Sequence, residues 1–162
     1  MIFIREMTAD DWPAVSEIFS AGIEAGSATF LTECPSYEAW DAGHLQNLRY
    51  VAEWDGWAAG FIAVLPISTK PAYAGVVELS VYVAPHAKRH GIGRALVMRL
   101  IEESERAGVW TLQAVIIRNN TASVRLHESC GFRLVGWREK PAMDKFGVWR
   151  DTVIMERRSQ LI

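Results

Sequence analysis

One turn in the middle of the chain constrains the fold more than any other segment. Residues 88–93 are Lys-Arg-His-Gly-Ile-Gly, between a strand-like run at 76–84 and a helix-like run at 94–107. A turn that opens a helix leaves backbone N–H groups without partners, and the helix dipole adds partial positive charge there. Lysine and arginine side chains in and beside the turn add full charges. The segment is therefore predicted to hold a phosphate or pyrophosphate group.

Two other phosphate-binding motifs fail on spacing. A P-loop requires Gly-x-x-x-x-Gly-Lys-Ser/Thr, and no such string occurs in the chain. A dinucleotide-binding fingerprint requires a third glycine or alanine where this chain has Leu96, and it follows a first strand rather than one in mid-chain. Taken alone, the turn is also compatible with a plain strand–turn–helix connection in which glycine only relieves steric crowding.

Length and composition limit the class of protein. A chain of 162 residues is expected to form one domain, residues 1–162. The formal net charge of -2 argues against binding to nucleic acid, and no apolar run approaches the roughly 18 residues that cross a membrane. The first residues lack the layout of a secretion signal, so a cytoplasmic location is expected. Cys34 and Cys130 are interpreted as reduced, partly buried thiols.

The periodicity of apolar residues predicts alternating strands and helices. Gly22 and Gly26 are expected to end the first helix, and Asn120 to cap the last. Helical spacing favours helices at residues 9–21, 37–48, 93–107 and 121–130. Strands are predicted at residues 2–5, 50–54, 57–65, 76–84, 110–117, 132–137 and 148–155. The predicted fold class is α/β (or α+β), a mixed sheet with helices on its faces.

A second motif lies downstream of the turn. Residues 120–132 are Asn-Thr-Ala-Ser-Val-Arg-Leu-His-Glu-Ser-Cys-Gly-Phe, a predicted helix followed by a Gly-Phe corner. With the turn, this segment resembles the GNAT superfamily of acyl-CoA-dependent N-acetyltransferases, which carry an Arg/Gln-x-x-Gly-x-Gly/Ala pyrophosphate loop and an Asn…Tyr-x-x-x-Gly-Phe segment. Further segments resemble the phosphinothricin and methionine sulfoximine acetyltransferase branch, in order along nearly the whole chain: 28–30, 71–73, 77–83, 123–128 and 145–151.

The resemblance implies a fold and a cofactor. The GNAT fold is a central twisted mixed sheet, splayed into a V and flanked by helices, with acetyl-CoA in the opening. A strand edge would pair with the pantetheine arm, and the turn would bind the pyrophosphate. The residues expected to bind the cofactor are Val81, Tyr82, Val83, Lys88, Arg89, His90, Gly91, Ile92, Gly93, Arg94, Asn120 and Ser129. The lysine at the start of the turn replaces the usual arginine or glutamine but keeps the positive charge.

Two residues are candidates for proton transfer. Glu78 lies in an otherwise apolar strand, where an ionised group costs free energy unless it is solvated or paired. With the resemblance it is the predicted general base, acting directly or through a water; the alternative is a surface glutamate paired with a lysine. His127 stands where most superfamily members carry a tyrosine that protonates the departing thiolate. It would donate that proton, hydrogen-bond the cofactor, or only pack beside Phe132. No metal is predicted, because the remaining histidines lack metal-ligand spacing.

The resemblance also indicates an acceptor. Phe30, Tyr73 and Trp149 would form walls of the acceptor site beside Glu78, and Lys70 would meet a substrate carboxylate. The segment around Tyr73 lacks the arginines common in the branch, which weakens the case for phosphinothricin itself. The expected activity is acetyl transfer from acetyl-CoA to the primary amine of a small amino-acid-like substrate, by a homodimer. The alternatives are a non-catalytic acyl-CoA-binding module and acetylation of another amine or a peptide.

Overall fold

The computed structural model describes all 162 residues as one mixed sheet with helices packed on it. The helices are α1 (Trp12–Ala25), α2 (Tyr37–Gly43), α3 (Ile92–Arg106) and α4 (Thr121–Ser129). The strands are β1 (Ile2–Glu6), β2 (Tyr50–Trp54), β3 (Trp57–Pro66), β4 (Val76–Val83), β5 (Thr111–Ile117), β6 (Arg133–Met143) and β7 (Trp149–Arg158). No helix combines the length and the apolar composition needed to span a bilayer.

The sheet opens in its middle. Its strand order is β1-β2-β3-β4-β5-β7-β6, and only the central β4–β5 pair is parallel. That pair is short, because only Val76–Glu78 of β4 matches Thr111–Gln113 of β5. Beyond Glu78 the other half of β4 stays paired with β3, while β5 stays paired with β7 as far as Ile117. The two halves of the sheet therefore diverge into a V, which confirms the predicted fold.

Helices α1 and α3 cover opposite faces of β4. Tyr82 of β4 stacks on Phe19 of α1, with 4.9 Å between ring centroids. Its neighbour Val83 lies against Gly93 of α3. Successive side chains of a strand point to opposite faces, so the two helices lie on different sides of the sheet. The open edge of β4 is consequently held in place from both faces.

The end of α1 differs from the prediction at one glycine. The helix runs through Gly22 to Ala25 and is closed by Gly26, whose φ of 77° is left-handed. Gly22 is required for packing instead, because a Cβ at that position would lie 2.8 Å from Cδ1 of Tyr82. Gly26 as a helix end is confirmed, and Gly22 as a helix end is wrong.

Helix α2 is shorter than predicted. It ends at Gly43, and the expected continuation to residue 48 is wrong. The buried guanidinium of Arg49 donates hydrogen bonds to the carbonyl oxygens of Asp41, His44 and Leu45. A side chain from outside the helix thus satisfies the carbonyl groups that a further helical turn would have used.

The last two strands are longer than predicted. They form a hairpin whose pairing extends from Arg133–Glu156 to Met143–Trp149. Strand β6 therefore continues past the predicted end at residue 137, because its pairing with β7 resumes at Ala142 and Met143 after an irregularity that follows Arg138.

Candidate active site

The turn between β4 and α3 has the geometry of an anion-binding site. Arg89 and Gly91 have φ of 68° and 82°, both in the left-handed region. The amides of residues 89–94 donate no hydrogen bond within the chain, and the first bond at this helix end runs from the Ala95 N–H to the Gly91 carbonyl oxygen. Left-handed residues in such a turn aim successive N–H groups into one concavity that suits a phosphate.

The loop is fixed to β2 by an aromatic contact that the sequence did not indicate. The ring of His90 stacks on the ring of Trp54, with 4.2 Å between centroids and 29° between planes. Trp54 is the last residue of β2, distant in the chain, so no local pattern links it to the loop. The exposed side chains of Lys88 and Arg89 remain beside the free amides.

A cleft of about 60 Å³ lies between the diverging strands. Its walls are Leu79–Tyr82 of β4 and Ala114–Ile116 of β5, with α4 at one side. Ala84 donates its N–H to Ala59 of β3, and alternate residues of a strand bond to the same neighbour. The N–H groups of Val81 and Val83 therefore point to the open edge of β4, and their pairing with the cofactor stays a prediction.

Tyr82 contributes backbone to the cleft rather than a reactive hydroxyl. Its ring is packed against Phe19 and Phe61, with centroids 4.9 and 5.3 Å away. Burial raises the pKa of the Tyr82 phenol, and a hydrogen bond with Thr29 partly opposes that rise. The phenol stays protonated at neutral pH and is not a candidate base.

Glu78 lies at the closed end of the V. It is half-buried, and with Gln113 it forms the last residue pair before β4 and β5 separate. The side-chain amide of Gln113 donates from Nε2 to Oε1 of Glu78 at 3.1 Å, while Oε2 has no hydrogen-bond partner in the chain. The alternative for Glu78 was a surface glutamate paired with a lysine. Glu78 makes no ion pair with a lysine, and its hydrogen-bond partner is Gln113. The one sequence signal for Gln113 is a lone amide within an apolar strand.

His127 packs beside Phe132, as one of the alternatives had it, and it also reaches the cleft. Its side chain is 2% exposed, lies edge-on to the ring of Phe132, and lines the cleft. Nδ1 is 2.7 Å from the carbonyl oxygen of Ser123, which only accepts, so Nδ1 carries the hydrogen. Burial lowers the pKa of His127, against a smaller opposite effect of that hydrogen bond. Nε2 is then an unprotonated acceptor at neutral pH, and it is buried without a partner.

Asn120 and Ser129 lie at the two ends of helix α4. Asn120 accepts the Ser123 N–H at Oδ1, 3.3 Å away, which confirms it as the N-cap, and it also lines the cleft. Its side-chain nitrogen donates to no atom of the chain and is available to a ligand. The hydroxyl of Ser129 donates to the Leu126 carbonyl oxygen at 2.7 Å and lies outside the cleft. A contact between Ser129 and the cofactor therefore stays a prediction.

The four residues predicted to meet the acceptor do not line the cleft between the strands. Phe30 is half-buried in the loop after α1, and Lys70 is exposed before a 3₁₀ turn that ends at Tyr73. Tyr73 and Trp149 are 48% and 54% exposed. Ala28 is the residue of the 27–35 loop that reaches the cleft. The structure joins Glu78 to Gln113 by a hydrogen bond just outside the cleft, whereas His127 lines the cleft itself. The acceptor-binding roles stay predictions.

The fold and the cleft together define a class of protein. A mixed sheet, splayed beside a helix N-terminus with free amides, binds an extended phosphate-bearing ligand along a strand edge. The sequence assigns the family within that class, because residues 4–132 match the Acetyltransferase (GNAT) family. The chain therefore belongs to the GNAT family of acetyltransferases. No cluster of three or more His, Cys, Asp or Glu side chains has the geometry of a metal site.

Similar proteins place the chain within one branch of that family. It is 36% identical to the phosphinothricin N-acetyltransferase of Alcaligenes faecalis, over 95% of this chain and 81% of that protein. It is 31% identical to the L-methionine sulfoximine/L-methionine sulfone acetyltransferase of Salmonella typhimurium, over 94% and 92%. A crystal structure of a phosphinothricin acetyltransferase from Sinorhizobium meliloti in complex with AcCoA superposes with a TM-score of 0.89, at 29% identity, over 97% of this chain and 88% of that one. The resemblance to this branch is confirmed.

Proposed function

We propose that the protein transfers an acetyl group from acetyl-CoA directly to the primary amine of a small amino-acid-like acceptor, with Glu78 as general base. The observation that carries this proposal is the position of Glu78 in the last β4–β5 pair, where the strand edge becomes free. Glu78 directly precedes Leu79–Tyr82, the part of β4 that lines the cleft, and the same strand runs on towards the turn at residues 88–94. The named substrates of the relatives support an acceptor with an amino-acid backbone.

Features of this chain fit acetyl-CoA. The free amides of residues 89–94, with neighbouring cationic side chains, suit its diphosphate. The outward N–H groups of Val81 and Val83 suit the pantetheine amides, as a further strand would. The side-chain nitrogen of Asn120 and Nε2 of His127 are polar atoms in the cleft that need partners. When bound, acetyl-CoA supplies the activated thioester from which the acetyl group is transferred.

The residues of the proposed site then have separate roles in the reaction. Oε1 of Glu78 is held by Gln113, so Oε2 is the atom that takes the proton from the acceptor amine. The N–H groups of Val81 and Val83 are donors for negative charge that develops on the carbonyl oxygen. We assign His127 to binding, because a lone pair at Nε2 accepts a hydrogen bond, whereas a proton donor would need prior protonation against its lowered pKa.

An acetyl-transfer assay tests the proposal. Acetyl-CoA is incubated with amino acids, phosphinothricin, methionine sulfoximine, simple amines and a peptide, and released thiol is measured with a chromogenic thiol reagent. Turnover is expected with an amino-acid acceptor and a lower rate with the peptide. Glu78→Gln should lower kcat by about 10²–10⁴-fold, the usual contribution of a general base. Glu102→Gln, an exposed change on the solvent side of α3, is the matched control.

Each outcome has a defined meaning. A Glu78→Gln variant as fast as the parent would remove Glu78 from the mechanism. If calorimetry shows CoA binding but no acceptor releases thiol, the non-catalytic acyl-CoA-binding alternative replaces the proposal. Turnover with the peptide alone would transfer the activity to a peptide acceptor.

We further propose that two copies of the chain pair through the face that carries β6. This strand is eleven residues long and forms one edge of the sheet. Its first half exposes Leu134, Val135 and Trp137, and exposed apolar residues on an edge strand favour pairing with another chain. Sedimentation velocity at micromolar concentration should show a dimer, and Trp137→Glu should give a monomer. A monomeric parent would refute this pairing.

The cytoplasmic location is part of the same proposal. Cys34 and Cys130 form no disulfide, as expected in a reducing compartment. Fractionation of the source cells tests the location. Recovery of the protein outside the soluble cytosolic fraction would contradict the proposal.

A further inference from the structure

Gln113 contacts the reactive region without belonging to any motif. It is a half-buried amide in β5, between the buried apolar residues Leu112 and Ala114. Its Nε2–H donates to Oε1 of Glu78 at 3.1 Å, and no other atom of the chain donates to that carboxylate. A polar side chain at this place costs desolvation unless its hydrogen bond compensates. The bond to Glu78 is therefore the physical reason for an amide at this position.

We propose that Gln113 is a positioning residue that holds the Glu78 carboxylate in its reactive orientation. The inference rests on the proposed function, in which Glu78 is the base. Fixing Oε1 removes rotational freedom from the glutamate side chain and leaves Oε2 for the amine proton.

The backbone explains why Gln113 can serve as a fixed point. Strand β5 is paired with β7 along its whole length, with Gln113 opposite Glu156. The donor is thus anchored on the closed side of the sheet and does not depend on contacts across the open V. Glu78 itself is held by β4–β3 pairing, opposite Leu65. Two independently paired strands set the distance between the two side chains.

The charged and titratable groups around Glu78 are few. On β3 its partner is the apolar Leu65. On β5 the partner is Gln113, and beyond it on β7 the carboxylate of Glu156 is ion-paired with Arg133 of β6. On the same face of β4, Tyr82 is packed against α1 with its phenol protonated. No other residue paired with Glu78 supplies a hydrogen bond that would replace Gln113.

The test compares Gln113→Met with the parent. Methionine keeps the length and volume of glutamine and removes the donor. We expect kcat to fall about five- to tenfold, the effect of one lost hydrogen bond, with KM for acetyl-CoA unchanged. A purely structural role, acting through the fold of the cleft, would raise KM for acetyl-CoA as well as lower kcat.

The matched control is Gln46→Met. Gln46 is an exposed glutamine that also donates to a carboxylate, Oδ1 of Asp41 at 3.3 Å, far from the cleft. It should leave both kcat and KM for acetyl-CoA as in the parent. A Gln113→Met enzyme with parental kcat would overturn the inference, as would an equal loss in the control.

A second readout does not require catalysis. In protein labelled with ¹³C at the glutamate carboxyl carbon, the Glu78 signal is assigned by its loss in Glu78→Gln. Without any ligand, the chemical shift of this carboxyl carbon at neutral pH should differ between Gln113→Met and the parent, because the carboxylate has lost its donor. An unchanged chemical shift overturns the inference even if acetyl transfer is confirmed. A changed chemical shift with no acetyl transfer by the parent overturns the proposed function, on which the inference rests. If Gln113→Met does not fold, as judged by circular dichroism, Gln113→Asn replaces it, since asparagine is too short to reach Glu78.

Discussion

Lowering the pH below about 6.5 should destabilise the protein through its buried histidine. His127 is 2% exposed, and burial lowers its pKa below the ordinary value of 6.5. Between the lowered folded value and 6.5, the unfolded chain binds a proton that the folded chain does not. The free energy of unfolding therefore rises with pH across that window and is at its full value above it.

The size of the effect follows from proton linkage. One proton taken up only on unfolding changes the free energy of unfolding by up to about 1.4 kcal/mol per pH unit. His44, whose pKa is lowered mainly by desolvation, acts in the same direction but is only partly buried. Asp11 and Asp144 do not contribute to the pH dependence in this window, because the pKa of each is lowered from 3.8. The hydrogen bond from Arg5 lowers the pKa of Asp11. Backbone hydrogen bonds, such as that from Val148, lower the pKa of Asp144. Their contribution is lost only at more acidic pH.

Urea unfolding at half-unit steps from pH 7 to pH 5 measures the effect. The parent should lose stability steadily below pH 6.5, and His127→Gln should lose less per pH unit, because glutamine does not titrate. Its side-chain amide still offers a donor to the Ser123 carbonyl oxygen. His86→Gln, at an exposed position, is the control and should keep the parental slope. A parental profile that is flat over this range, or an unchanged slope in His127→Gln, would refute the reasoning.

Two glycine substitutions test the packing and the loop. Gly22→Ala should lower the free energy of urea unfolding by about 1–3 kcal/mol, because its Cβ would lie 2.8 Å from Cδ1 of Tyr82. Gly43→Ala, with no atom within 4 Å of the added Cβ, should be neutral or slightly stabilising, and equal effects at the two sites would contradict the contact. Gly91→Ala, at φ of 82°, should weaken CoA binding in calorimetry about tenfold, because a left-handed non-glycine residue costs about 1–2 kcal/mol; unchanged affinity would argue against the loop as the anion site.

The turn at residues 88–94 could be recognised in the sequence because its features are local. Free amides, left-handed turn residues and basic side chains all belong to one short stretch, 88–94. Asn120 at the start of α4 and Gly26 at the end of α1 were predictable for the same reason, since caps depend on the residues of their own helix end. The alternation of strands and helices followed from apolar periodicity, which reflects burial on one side of each element.

Features that depend on distant residues were missed or misjudged. Gly22 was expected to end a helix because the approach of Tyr82 is invisible along the chain. Helix α2 ends early because Arg49, which lies outside the helix, donates hydrogen bonds to the carbonyl oxygens at its end. The stacking of Trp54 on His90 likewise joins segments with no local relation.

The order of residues was sufficient to specify the anion loop, the caps, the periodic elements and a carboxylate in an apolar strand. The partner of that carboxylate was settled by strand register, because the parallel β4–β5 pairing ends at Glu78 and Gln113. The tautomer of His127 was settled by the Ser123 carbonyl oxygen together with burial in the folded core. Local propensities act over a few residues, whereas register, desolvation and side-chain partners arise only when distant segments pack together.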